Sequence, residues 1–297
     1  MIDKVIIIKT GKVRGYMAGK GFRYLGIPYG EAYVTGGIGK GGAMGMTYDM
    51  QTFANDTNCI VVTVNYRLGV LGFMDFSWID KRFERNLGLK DLILALQWIQ
   101  ENIDAFDGDA ACVTLFGQSA GAALIAALYN IPTANKLFHR TIMESGCLES
   151  FYTPIQARRL AEKYISLLGL HSKNLADKLF EMPTEVLVSR MDELDLWVQS
   201  ERIGICSINP VVDGEFLQAF PTLEILSSGK PAIIGNNRDE ALLFTHVMKD
   251  TRGDICNRAL PFYTEHQQNQ ILSHYPEFPS KQANGLLLTD AMYTYPK

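Results

Sequence analysis

Five residues, Gly117-Gln118-Ser119-Ala120-Gly121, constrain this chain more than any others, because they join an apolar run directly to a small-residue helix. Val113 to Phe116 has the length and apolar content of a buried strand, and Ala120 to Tyr129 reads as a helix with few polar atoms. A chain that passes from strand to helix across one residue must bend sharply. Side chains two positions either side of Ser119 are then expected to collide, which accounts for glycine at 117 and 121. The bend would present the Ser119 hydroxyl at the carboxyl edge of a sheet. The helix start behind it, with the amide of Ala120, could donate to an oxyanion formed on an attacked carbonyl.

The remaining pattern supplies a sheet for that strand. Short β-branched runs alternate with longer helical patterns, the arrangement that builds a parallel sheet covered by helices. Cys59 to Val64 reads as a buried strand, and further strands are expected at Thr141 to Met143 and Ala232 to Gly235. Leu89, Leu92, Ile93, Leu96, Ile99 and Ile103 follow helical spacing until Asp104, Asp107, Gly108 and Asp109 break it with turn chemistry. Helices are also expected over Ile155 to Leu168 and Ala176 to Phe180. No internal repeat or low-complexity linker interrupts the 297 residues, so one α/β domain accommodates them.

Composition narrows the partner. Hydrophobic residues make up 47% and charged residues 20%, the range of an ordinary soluble protein, and the formal net charge is only -4. No Lys/Arg run is dense enough to hold nucleic acid or an anionic membrane, which leaves a small molecule. Cys59, Cys112, Cys147, Cys206 and Cys256 are odd in number and far apart, and are expected to be reduced core residues. The apolar run Val5 to Ile8 is too short for a signal peptide, and no stretch reaches the length of a membrane span, so a cytoplasmic location is expected. Neither a metal nor a cofactor is expected, since no His, Asp or Glu cluster has ligand spacing. Gly37, Gly39 and Gly42 do satisfy G-x-G-x-x-G, but a dinucleotide loop also needs a strand before it, a helix on its last glycine and a later acid. The residues after Gly42 run instead toward Tyr48 and Asp49, and Lys40 is followed by Gly41 where a phosphate loop needs Ser or Thr, so a connecting or substrate-proximal loop is the better reading.

A serine hydroxyl is a weak nucleophile until a base takes its proton, and the base needs an orienting acid. On a strand-turn-helix scaffold of this kind the order along the chain is Ser, acid, His. Gly235-Asn236-Asn237-Arg238-Asp239-Glu240 follows the strand at Ala232 to Gly235 and so places a carboxylate on the same sheet edge as Ser119. Asp239 suits a helix N-cap.

At these residues the chain resembles the type B carboxylesterases, the family of the bacterial para-nitrobenzyl esterases and the cholinesterases. The resemblance runs through Gly11 to Gly15, Phe22, Gly26-Ile27-Pro28-Tyr29, the segment VTVNYRLGVLGF at Val62 to Phe73, Asn86 to Phe106, Val113 to Ala122, Leu137 to Arg140, Ser145-Gly146, Pro210 to Gly214 and Gly235 to Phe244. It implies an α/β-hydrolase fold, a mostly parallel sheet flanked by helices and incomplete here, over residues 1–297. Ser119 matches the nucleophile, Glu240 the acid, Ala120 and Gly30 oxyanion donors, and Ser145 a serine kept near the acid. Glu31 stands where a second glycine is expected, so a segment near 30–32 that carries oxyanion donors is shortened. Losing one such donor typically costs roughly a hundred- to a thousand-fold in turnover. The family's catalytic His lies far beyond the acid, and none of His139, His171, His246, His266 and His274 stands in its context. His139 matches a structural position, and His246, His266 or His274 could act only in a rearranged site.

The resemblance therefore implies hydrolysis of a small-molecule carboxylic ester through an acyl-serine, with a complementing C-terminal segment supplying the His. The alternatives are a non-catalytic binding scaffold and a degraded pseudoenzyme.

Overall fold

The computed structural model describes residues 3–25, 50–146, 151–171, 174–201, 206–221, 225, 227–242, 256, 260 and 263–290. An antiparallel meander opens the chain, with β1 (Asp3–Ile8) paired to β2 (Gly11–Ala18) and β2 to β3 (Gly21–Arg23). Helices α1 (Gln51–Thr57), α2 (Gly69–Phe73) and α3 (Leu87–Asn102) follow. A second, parallel sheet is then laid down by β4 (Thr114–Gln118), β5 (Arg140–Glu144) and β6 (Ala232–Gly235), in that spatial order. Between β4 and β5 run α4 (Ala120–Tyr129) and α5 (Pro132–Asn135). Between β5 and β6 run α6 (Pro154–Leu167), α7 (Leu175–Glu181), α8 (Thr184–Ser189) and α9 (Met191–Ser200). Helices α10 (Glu265–Leu272) and α11 (Lys281–Thr289) close the described chain. No described helix is long and apolar enough to cross a membrane.

The expected helices and three of the expected strands form within a few residues of their predicted bounds, because each carries one dominant apolar face. In α3, Leu89, Ile93, Leu96 and Ile99 are buried at helical spacing. In α4 every residue from Ala122 to Tyr129 is buried, and the Tyr129 hydroxyl pairs with Thr141 Oγ1 of β5 at 2.7 Å. This bond fixes which face of the sheet α4 covers. Thr141 is level with Leu115, and Met143 with Gly117 and Ile234, so these residues share the covered face. Phe116, Ile142 and Ile233 share the other, where Phe116 is 48% and Ile233 66% exposed. Ile234 lies on the face of Met143 yet is 50% exposed, because β6 extends past the cover of α4.

Two sequence expectations fail. Cys59 to Val64 is not a strand: among the described residues it pairs with no other segment, and Ile60 and Val62 are exposed. The apolar, β-branched content is there, but a strand also needs a neighbour for its backbone N–H and C=O groups, and no described strand lies alongside. The cysteines are not core residues as a group: Cys59, Cys112 and Cys206 are exposed, and among the described cysteines only Cys256 is buried. Cys147 lies outside the described residues.

Buried polar groups tie the helical layer together. Asp91 on α3, almost wholly buried, accepts from the Arg67 backbone N–H at 2.9 Å, from Nε at 2.8 Å and from Nη2 at 2.7 Å. Asp75 accepts from Arg85 Nε at 2.7 Å and from Ser77 through both its N–H and its hydroxyl. Asn86, 1% exposed and in the left-handed region at φ 57°, reaches 125 residues along the chain: its Nδ2 donates to the Val211 carbonyl and the Val211 N–H donates to its Oδ1, both at 2.8 Å. Asn tolerates that backbone region better than most residues, and its amide satisfies both backbone groups of one buried residue. At α6 a capping box between Thr153 and Gln156, with Pro154 at the first helical position, sets the helix start. Thr264 and Gln267 do the same for α10.

The reversal from β4 to α4 depends on one glycine rather than two. A Cβ on Gly117 would fall 2.7 Å from the Gly121 carbonyl carbon and 2.9 Å from its oxygen, which is backbone and cannot swing away. A Cβ on Gly121 would meet no atom of the described residues within 4 Å beyond its own helix backbone. The close approach therefore excludes a side chain on the strand side only. Accordingly, Gly117→Ala should lower unfolding free energy by about 1–3 kcal/mol, whereas Gly121→Ala should stay within about 1 kcal/mol of the parent; urea unfolding of both variants checks the asymmetry. By the same measurement Asn86→Ala, which orphans a buried N–H and C=O, should cost about 2–4 kcal/mol.

Candidate functional site

The parallel register brings three strand ends level: Gln118 aligns with Glu144 and Glu144 with Gly235. The residues that follow, Ser119, Ser145 and Asn236, therefore stand side by side at one carboxyl edge. Two of the three have positive φ although neither is glycine, Ser119 at φ 56° and Ser145 at φ 51°. Such a conformation costs of order 1–3 kcal/mol and is held only where its surroundings over-determine it.

At Ser119 the constraints are visible. Its N–H donates to the Glu144 carbonyl at 2.8 Å, and its own carbonyl accepts from Ala123 at 3.1 Å to begin α4. Its side chain is exposed and makes no hydrogen bond among the described residues. Ala120 opens the helix, where an N–H has no intrahelical partner and the helix dipole favours negative charge. An exposed hydroxyl thus sits beside a helix-start N–H that has no partner among the described residues.

Glu144 is also the start of the connection to the acid. The next residue, Ser145, is buried; its N–H donates to the Gly235 carbonyl at 2.7 Å, and its hydroxyl donates to Glu240 Oε1 in a short hydrogen bond. The same Oε1 accepts from the Asn237 backbone N–H at 2.6 Å and from Asn237 Nδ2 at 3.2 Å. Ser119 and Glu240 are thereby joined through two residues, Glu144 and Ser145, although 121 positions separate them in sequence. Asp239 does not take part. Its carboxylate pairs with the exposed Arg238 guanidinium at 2.9 Å. The half-buried Glu240 is further held from behind, where the buried Ala241 N–H donates to Thr289 Oγ1 of α11 at 3.0 Å and Thr289 donates to the Gly285 carbonyl at 2.8 Å.

Asn237 and Thr289 are the site residues that sequence reasoning passed over. Asn237 could have been found from its place between a strand end and Glu240, three residues before the acid and at the spacing at which a side-chain amide folds back on a turn. Thr289 gave no comparable signal, because only packing of α11 brings it to Ala241.

Among the described residues no histidine hydrogen-bonds to Ser119 or Glu240. His139 accepts from the Val113 N–H at 3.2 Å through Nδ1 and stands where β5 begins, at the opposite edge of the sheet from Ser119. His171, His266 and His274 are exposed. His246, the expected oxyanion donor Gly30, its neighbour Glu31 and the glycine-rich stretch Gly36 to Gly45 lie outside the described residues.

The likeness to known proteins agrees with this geometry. The model of the Carboxylesterase family matches residues 32–287. The chain is 39% identical over 254 residues to the para-nitrobenzyl esterase of Bacillus subtilis, covering 84% of this chain and 51% of that protein. It is 35% identical over 219 residues to the cholinesterase of Mus musculus, covering 70% of this chain and 36% of that protein. A solved structure titled PNB esterase superposes with a TM-score of 0.82 at 27% identity, over 97% of this chain and 75% of that one. The chain thus spans about half the length, or less, of these curated relatives. Two thirds or more of its own residues fall within each likeness, and the fold is the α/β-hydrolase fold. With a family match over most of its length and a strand-bend-helix serine at its centre, the chain belongs to the carboxylesterase family.

Proposed function

We propose that this chain is the nucleophile-bearing part of a carboxylic ester hydrolase. In this reading Ser119 Oγ attacks the acyl carbonyl carbon while an imidazole takes its proton. The oxyanion so formed accepts from the Ala120 N–H, with Gly30 as the further donor that family likeness suggests. The ester C–O bond breaks, the alcohol leaves with the proton held by the imidazole, and water then attacks the acyl-serine to release the acid and restore the hydroxyl. Glu240 orients the imidazole and stabilises its cationic form, as the acid of a triad does. The base itself is an imidazole that none of the described residues supplies, and a complementing C-terminal segment is the proposed source.

The single observation that carries this reading is the connected edge. Ser119, at a bend with positive φ, is exposed beside a helix-start N–H that has no partner among the described residues, and two residues lead from its backbone to a carboxylate bonded through one oxygen. A plain structural serine has no need of backbone strain, and a solvated surface glutamate has no need of a buried serine donor. The likeness to a para-nitrobenzyl esterase and a cholinesterase supports small carboxylic esters as the substrate class.

A non-catalytic scaffold is favoured by one specific observation, the lack of any described histidine bonded to Glu240, and one assay separates the two readings. Hydrolysis of a short-chain nitrophenyl ester is measured with the chain alone and with a C-terminal family segment added, each against Ser119→Ala. The hydrolase reading predicts that Ser119→Ala loses on the order of a thousand-fold or more once an imidazole is in place. Equal rates for parent and Ser119→Ala under both conditions would remove the catalytic claim in favour of the scaffold.

A further inference from the structure

The three donors around Glu240 are all spent on one oxygen. Oε1 accepts from Ser145 Oγ, from the Asn237 N–H and from Asn237 Nδ2, whereas Oε2 accepts from no described residue. A carboxylate oxygen has two lone-pair sites in its plane, so three donors on Oε1 saturate it and leave no room for a fourth. Two of the three donors come from a single residue, and the donors arrive from two neighbouring strand ends: Ser145 from the end of β5, Asn237 from the turn after β6. The plane of the carboxylate is thereby set, and with it the direction in which Oε2 points.

We infer that Asn237 is a positioning residue for Glu240: by occupying Oε1 together with Ser145, it leaves Oε2 as the one oxygen able to accept an imidazole N–H. The inference rests on the hydrolase reading for its catalytic meaning. An imidazole that could bond either oxygen would sample two orientations, only one of which aims its second nitrogen at the serine. With Oε1 filled, one orientation remains. Asn237 contributes through geometry and through charge, since donors to an ionised carboxylate are stronger than neutral pairs and resist its rotation toward solvent. No covalent step is added; the residue touches neither substrate nor the reacting atoms.

Two readouts test this. The first needs no activity. In proton–nitrogen spectra of the full chain, the Asn237 backbone and side-chain amide signals should move upfield together in Glu240→Gln, which keeps the side chain's shape and removes its charge. If both signals are the same in parent and Glu240→Gln, the inference is overturned. The second uses ester hydrolysis with the imidazole-bearing segment present. Asn237→Ala, which removes the Nδ2 donor and keeps the backbone N–H on Oε1, should lower kcat about threefold with KM within about twofold. Asn237→Asp, which has the same shape but replaces the donor with a like charge, should lower it further. A residue that only fills space would show the reverse order, Asp tolerated and Ala not, and that order or an unchanged kcat would also overturn the inference. Because Asn237→Asp is isosteric, it answers even if Asn237→Ala does not fold. Should Ser119→Ala hydrolyse as fast as the parent, the hydrolase reading falls on its own, and the amide signals alone decide whether Asn237 fixes the carboxylate.

Discussion

The hydrogen bond from the Ser119 N–H to the Glu144 carbonyl is the constraint on which the candidate site depends. It continues the parallel ladder of β4 and β5 one residue past the strand end, and so forces the chain to turn into α4 from a fixed point. Because Ser145 follows Glu144 directly, the same ladder determines where the donor to Glu240 sits. One backbone contact thus sets both the height of the nucleophile candidate and the position of the acid candidate. Ser119 and Ser145 take positive φ in consequence, a strain that neighbouring strand pairing and the start of α4 hold in place.

What stabilises this edge is uneven. On one face α4 is buried along nearly its whole length, and its Tyr129 is bonded into β5. On the other, Phe116 and Ile233 are bare, and the outer edge of β4 is unpaired among the described residues. Parallel sheets are ordinarily covered on both faces, because their pairing needs helical crossovers that cover them. The carboxyl edge is nevertheless well determined, since the groups that define it are bonded to one another. Behind Glu240, α11 adds a brace through Thr289, so the acid is clamped between the sheet and a helix that arrives late in the chain.

Much of this was legible in the sequence where a short, local pattern carries the physics. G-x-S-x-G between an apolar run and a small-residue helix specified the bend, the helix bounds at Ala120 and Tyr129, and the exposed hydroxyl. Glu240 could be placed on the correct edge because Ala232 to Gly235 reads as a strand and parallel strands share a carboxyl end. The failures are equally instructive. Cys59 to Val64 has strand composition, but strand formation is a property of pairs and its partner is not among the described strands. Gly121 matches the motif, yet of the two glycines only Gly117 meets backbone among the described residues closely enough to exclude a side chain. The choice of Glu240 over Asp239 as the bonded carboxylate rests on Ser145 and Asn237, and Thr289 reaches the site only through the packing of α11. These are contacts between residues distant in sequence, about which propensity and periodicity are silent.

The claim at the centre of the account is geometric, and a crystal structure of the full chain at a resolution that defines carboxylate planes tests it most directly. The account predicts Ser119 at positive φ, near 56°, with its N–H on the Glu144 carbonyl, and Glu240 with one oxygen held by Ser145 and Asn237 while the other faces the carboxyl edge of the sheet. Ser119 in ordinary helical or extended backbone, or Glu240 turned away to solvent with Ser145 bonded elsewhere, would contradict it.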